Sequence, residues 1–224
     1  MKRRTEPPAE TQCKRDQLRD IYRRQFEELA SLRRHILSRL PLRQINTIFE
    51  PGCGTGLLGE ELQTLSDAAY TGMDIDPEIL PENGMFIAGD TENNPLPADL
   101  YVSSFFFSSV DKPVKWLKKA KKNLSPNGLF AVFAEYDYTC IGESPDTGFA
   151  EQIREGLEKD GINTTTGSQL DSFFEKTGFR KLAGGEINSS LQKPDRAFLE
   201  MHVENIPDVL PLMSWRIVWG IWSS

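Results

Sequence analysis

Residues 49–62 read FEPGCGTGLLGEEL: a carboxylate, then glycines at 52, 54 and 56, then a helical pattern. Glycine has no β-carbon and accepts positive φ, so alternating glycines let a chain turn sharply and bring its amides against a ligand. The helix that opens near Leu57 aims its free N–H groups and positive dipole end at the same spot. A strand that feeds a helix through such a loop belongs to a parallel sheet, where ligands bind beyond the carboxyl ends of the strands.

The remainder of the chain alternates in the same way. Apolar and β-branched runs predict strands over 47–50, 69–74, 84–88, 100–106, 129–136 and 179–186. Amphipathic runs predict helices over 57–64, 113–124 and 168–177, with a short turn at 77–80. Pro126, Asn127 and Gly128 mark the turn before the fifth strand. A helix over 146–159 makes residues 137–166 an insertion beyond a minimal βα repeat. A helix over 195–205 and a strand over 214–222 close the pattern with an antiparallel member. The expected class is therefore α/β, a mostly parallel sheet with helices on both faces.

With 224 residues, 38% of them hydrophobic, the chain supports one core and not two. Residues 1–12, with Pro7 and Pro8, read as a disordered start. Ile21, Leu29, Leu32, Ile36 and Leu40 then form the apolar stripe of an amphipathic helix or helix pair that ends at Pro41. The expected organisation is a tail and cap helix over 1–44 and one domain over 45–224, with a lid at about 137–166. Residues 1–44 carry 12 basic and 6 acidic side chains, net +6, and the rest carry 14 and 27, net −13. So acidic a body repels polyanions, which disfavours nucleic acid and anionic membranes as partners. Three cysteines at unpatterned spacing, no secretory signal and no long apolar run place the expected protein in the cytoplasm, without a membrane span.

The nicotinamide fingerprint is G-x-G-x-x-G, whereas here the spacing is G-x-G-x-G and Leu57 follows. Glu50, directly before the loop, suits a ligand that carries an ammonium or sulfonium better than a pyrophosphate. Asp74, in GMDIDPEIL, falls at the tip of the next strand, where a carboxylate accepts from both hydroxyls of a ribose. Asp90, in MFIAGD, ends the third strand and can accept from an exocyclic adenine amine.

Together EPGCGTG, GMDIDPEIL, the GD at 89–90, DLYVSSFFF and NLSPNGLFAVF resemble the class I S-adenosylmethionine-dependent methyltransferases, in their small single-domain form, over roughly residues 45–136. Asn127 stands where a glycine is common in the LxPGG turn of such families. The resemblance implies a Rossmann-like seven-stranded, mostly parallel sheet with its last strand antiparallel, and S-adenosyl-L-methionine as cofactor. It implies the methionine end at Glu50, Gly52, Gly54 and Gly56, the ribose at Asp74, and the adenine near Asp90 and Thr91. Ile75 and Ser103 complete the expected cofactor set.

The acceptor is expected to be a small molecule or a carrier-bound group. Glu135, Tyr136, Asp137 and Tyr138, at the mouth of the fifth strand, are its candidate contacts, and no metal is expected. Tyr22 and Arg23 are placed to reach the methionine end. A nicotinamide-dependent oxidoreductase and a non-catalytic methyltransferase-like binding subunit are the competing readings. Cys53 has no histidine near it in sequence and reads as a small loop residue. His35 and His202 have no metal-like spacing. Lys112, Lys115, Lys119 and Lys122 read as a solvated helix face, and Trp215, Trp219 and Trp222 as core rather than a membrane-interface belt.

Overall fold

A computed structural model describes residues 9–224. Its strands are β1 (Thr47–Pro51), β2 (Ala69–Asp74), β3 (Phe86–Ala88), β4 (Ala98–Ser104), β5 (Leu124–Ser144), β6 (Arg180–Asn188) and β7 (Leu212–Ser223). They form one seven-stranded sheet in the order β3-β2-β1-β4-β5-β7-β6. The pairings from β3 to β5 are parallel, and β7 runs antiparallel to both β5 and β6. Strand order reverses between β1 and β4, which places the topological switch point beside the glycine loop.

The helices are α1 (Ala9–Glu28), α2 (Ala30–Leu37), α3 (Leu57–Leu65), α4 (Pro113–Asn123), α5 (Phe149–Lys159), α6 (Thr166–Glu175) and α7 (Arg196–His202). On one face of the sheet α2 and α3 bury Ile36 and Leu62 against Ile48, Leu100 and Phe133. On the other, Trp116 and Leu117 of α4 and Phe174 of α6 pack on Tyr101, Phe130 and Trp222. Each fully buried aliphatic side chain contributes about 1.5–3 kcal/mol by leaving water. Trp222 stacks on Phe174 at 3.8 Å, and Trp219 meets His35 edge-on at 5.2 Å, so these tryptophans pack the core. Among the described residues no helix is long and apolar enough to cross a membrane.

Three differences from expectation have physical causes. The disordered start expected over 1–12 gives way by Ala9, where α1 begins: Ala9, Glu10 and Gln12 follow the two prolines and are good helix formers. Residues 1–8 lie outside the described chain. The insertion expected at 137–166 leaves the sheet only after Ser144, because β7 is long enough to keep pairing with Gly142, Glu143 and Ser144. The final strand does not close an edge but lies between β5 and β6. Asn127 holds φ +61°, a left-handed turn that asparagine tolerates, so its place in a glycine-favouring turn costs little.

Candidate functional site

β1 delivers the chain at Pro51 into a loop in which Gly52, Gly54 and Gly56 hold φ of +65°, +52° and +78°. A β-carbon on Gly52 would lie 2.6 Å from the Phe106 ring and one on Gly56 2.5 Å from Phe86, so packing as well as φ demands glycine at both. Gly54 is the open one, with Tyr22 of α1 lying 3.5 Å from where its β-carbon would be. The amides of Gly52 and Cys53 donate to the Met73 carbonyl at 2.8 and 3.2 Å, which ties the loop to β2.

Asp74 holds the crossing together. Its Oδ2 accepts from the Gly54 amide at 2.9 Å and its Oδ1 from the Asp76 amide at 3.0 Å. Each oxygen keeps a second lone pair for a ligand. Asp90 ends the next strand in the same manner, accepting from the amides of Glu92 and Asn93 and from the Asn93 side chain. Those bonds, the Asn93 side chain first, hold its carboxyl below the usual range.

Glu50 is only 3% exposed and accepts from the Tyr70 hydroxyl. Burial pushes its pKa up to about 8 against the opposing Tyr70 bond, and the Asp74 charge adds to the rise. A carboxylate in this state lacks a counter-charge, and a cation brought beside it returns it to the ionised form. Burial, with Glu50 and Asp74, likewise pushes the Cys53 thiol far up, so it is not a nucleophile.

One cavity of about 440 Å³ collects these groups. Glu50, Gly52, Gly54, Asp74, Ile75, Asp90 and Thr91 line it, under a roof from α1 and α2 that includes Tyr22, Phe26 and Arg33. Its volume falls in the range of small-molecule and cofactor sites. Gly56 stays behind the lining as the residue before α3, and Ser103 is fully buried with an unpartnered Oγ, while Ser104 and Phe105 line the cavity instead. Side chains alternate along a strand, so one step along β4 exchanges wall for core.

Arg23 is exposed and lines neither this cavity nor its neighbour; the cation in the roof is Arg33, 6% exposed. Its Nε donates to Glu61 at 2.7 Å, and its guanidinium lies 3.4 Å above the Phe26 ring and donates to the Phe26 carbonyl. Its sequence signal was available: Arg33 stands four residues after Leu29 and three before Ile36, on the apolar stripe of the helix.

The four acceptor candidates divide by strand alternation. Glu135 and Asp137 point into the protein. Glu135 Oε1 accepts from the Phe107 amide at 2.7 Å, Oε2 has no partner, and burial pushes the group up to about 8 against the bonds from the Phe107, Phe106 and Ser108 amides. Asp137 accepts from the Thr139 amide and hydroxyl at 3.2 and 2.5 Å. Tyr136 and Tyr138 point the other way, into a second recess of about 60 Å³ bounded by α1, the loop at 192–195, α7 and β7. Tyr136 stacks at 4.7 Å on Phe105, which belongs to the first cavity.

The doubly wound topology, with a glycine loop and a cavity at its switch point, defines a Rossmann-like α/β domain. The chain belongs to the methyltransferase-domain family, whose model matches residues 21–183. No curated protein matches the sequence. Solved structures with the same fold include an S-adenosylmethionine-dependent methyltransferase from Mesorhizobium loti, 18% identical, with 83% of this chain and 95% of that one covered at a TM-score of 0.53. The N-methyltransferase NodS from Bradyrhizobium japonicum is 12% identical, with 89% and 96% covered at 0.52. A Thermotoga maritima S-adenosylmethionine-dependent methyltransferase, possible histamine N-methyltransferase, is 16% identical, with 90% and 94% covered at 0.55. At such identities the likeness is one of fold.

Proposed function

We propose that this chain is an S-adenosylmethionine-dependent methyltransferase that acts on a small-molecule or carrier-bound acceptor. The observation that carries the reading is the convergence of Glu50, Asp74 and Asp90, from the ends of three adjacent strands, on one cavity beside the glycine loop. The donor set fits the cofactor group by group. Glu50, buried and without a counter-charge, suits an ammonium, and Arg33 in the roof suits a carboxylate. Asp74 offers lone pairs to a ribose, Asp90 and Thr91 bound the purine end, and Ile75, 77% exposed, offers an apolar face to it.

When bound, the cofactor supplies a methyl group on a sulfonium, whose positive charge is neutralised as the methyl leaves. The residues of this chain need then only hold and orient the reactants and exclude water. Orientation alone supplies about 7–11 kcal/mol of a barrier. α1 and α2 roof the cavity and are the natural cover over the reacting centre.

The strand order also separates this reading from the nicotinamide one, because dinucleotide folds continue their sheet in parallel where β7 here is antiparallel. Calorimetry with S-adenosylhomocysteine and NAD in parallel tests the reading: binding of the former alone supports it, and binding of NAD alone replaces it with an oxidoreductase. Product formation with an acceptor panel then separates an enzyme from a binding subunit.

A further inference from the structure

We propose that the acceptor is a small cationic amine, whose ammonium is held in the recess walled by Tyr136, Tyr138, Phe198 and Trp215 beside Glu28. The inference rests on the methyltransferase reading and names the class of its second substrate.

Position comes first. The recess adjoins the large cavity: Gln25 of α1 lines both, and the stacked rings of Phe105 and Tyr136 are the wall between them. Phe105 holds that wall from a left-handed backbone at φ +54°, a conformation that non-glycine residues adopt chiefly where their surroundings enforce it.

Chemistry follows from the walls. Tyr136 lies 5.3 Å from Tyr138 and 5.9 Å from Trp215, and Trp215 lies 6.3 Å from Tyr138 and 6.4 Å from Phe198, centroid to centroid. Ring faces are electron-rich, so they attract a cation and give an anion nothing. The recess is small: about 60 Å³ admits roughly four water-sized spheres. An amino group with one or two small substituents fits.

Charge at the rim agrees. The titratable groups that face the recess are Arg24, Glu28, Tyr136, Tyr138, Lys193 and Asp195. Arg24 is bound to Asp195 at 2.7 Å, and Asp195 also caps α7 through the Ala197 amide. Glu28 makes no ion pair among the described residues, and burial followed by the Asp195 charge raises its proton affinity against the opposing charge of Arg24. Glu28 is thus the available partner for an ammonium, which anchors the acceptor from the recess side of the Phe105–Tyr136 wall.

The test uses the full chain, saturated with S-adenosylhomocysteine, and two probes of one shape: N,N-dimethylethanolamine, cationic at neutral pH, and the neutral 3-methyl-1-butanol. Binding is read by calorimetry and by quenching of tryptophan fluorescence, without turnover. The cation should bind at least about fivefold more tightly than the alcohol. Trp215→Ala should abolish that preference, Trp215→Phe should keep most of it, and neither should change affinity for S-adenosylhomocysteine by more than about twofold. Glu28→Gln should weaken the cation alone. Equal binding of the two probes, tighter binding of the alcohol, or a preference that survives Trp215→Ala would overturn the inference. The two readings fail separately: loss of S-adenosylhomocysteine binding sinks the methyltransferase reading, whereas S-adenosylhomocysteine binding without a preference for the cation sinks only this one.

Discussion

Glu50 and Glu135 are both fully buried, both are pushed up to about 8 by desolvation, and they sit on the same sheet, yet they do different things. Glu50 ends β1, takes its hydrogen bond from a side chain, Tyr70, and borders the cavity beside Asp74. Glu135 lies inside β5 and takes its bond from the Phe107 amide, where it fixes the turn after β4 and lines neither of the two cavities described above. A perturbed carboxyl is a candidate for function only where a ligand can reach it. The same titration therefore marks a candidate binding group in one region and a structural clamp in the other.

The largest expected effect comes from the region around Glu50. Asp74→Ala removes the acceptor of the Gly54 and Asp76 amides along with the lone pairs aimed into the cavity, so S-adenosylhomocysteine affinity should fall about 100-fold in calorimetry, at about 1.5–3 kcal/mol for each charged hydrogen bond lost. The melting temperature should fall by only a few degrees. A variant that binds as the parent does would dissolve the distinction, since Asp74 would then be a clamp of the Glu135 kind.

Next comes Trp222→Ala, which opens the stack on Phe174 far from either cavity and should cost about 3–5 kcal/mol in denaturant unfolding while the surviving folded protein keeps its ligand affinity.

The two glutamates then separate by pH. A carboxyl whose folded pKa is raised stabilises the fold fully below its unfolded pKa and loses that contribution as pH rises through the folded value, here between about 4.5 and about 8. Glu50→Gln and Glu135→Gln should each flatten that decline in melting temperature. Saturating ligand should abolish the Glu50 part, because a bound cation draws Glu50 back toward ionisation, and should leave the Glu135 part untouched.

The smallest effect is expected at Arg33→Lys. It keeps the charge but loses the planar fork, so ligand affinity should fall only several-fold by the same calorimetry.

How legible each region is in the sequence follows from how it is assembled. The side proposed for the cofactor uses three short stretches, 50–56, 74–76 and 90–92, each contiguous in the chain and each at a strand end. Local turn chemistry exposes them, and strand alternation with intervening helices places them side by side. The second recess draws on Gln25, Tyr136, Asp195 and Trp215, which meet only because β7 inserts beside β5 and α1 folds back over the sheet. No local period records such a meeting. Ser103 and Ser104 show the finer limit, since a single step along β4 decides which one reaches the cavity, and the left-handed turn at Phe105 that fixes the register there has no marker of the kind glycine provides. Arg33 was readable in principle, as a charge on an apolar stripe.

The most direct test of the central claim is the number of protons released when S-adenosylhomocysteine binds at pH 7, obtained from calorimetry in buffers of different ionisation enthalpy. Glu50, mostly protonated in the free protein, should lose its proton to the solvent as the ammonium arrives, giving release of a large part of one proton, affinity that rises with pH toward about 8, and neither effect in Glu50→Gln. Binding without proton release, or the same release from Glu50→Gln, would contradict the assignment of Glu50 to the cationic end of the cofactor.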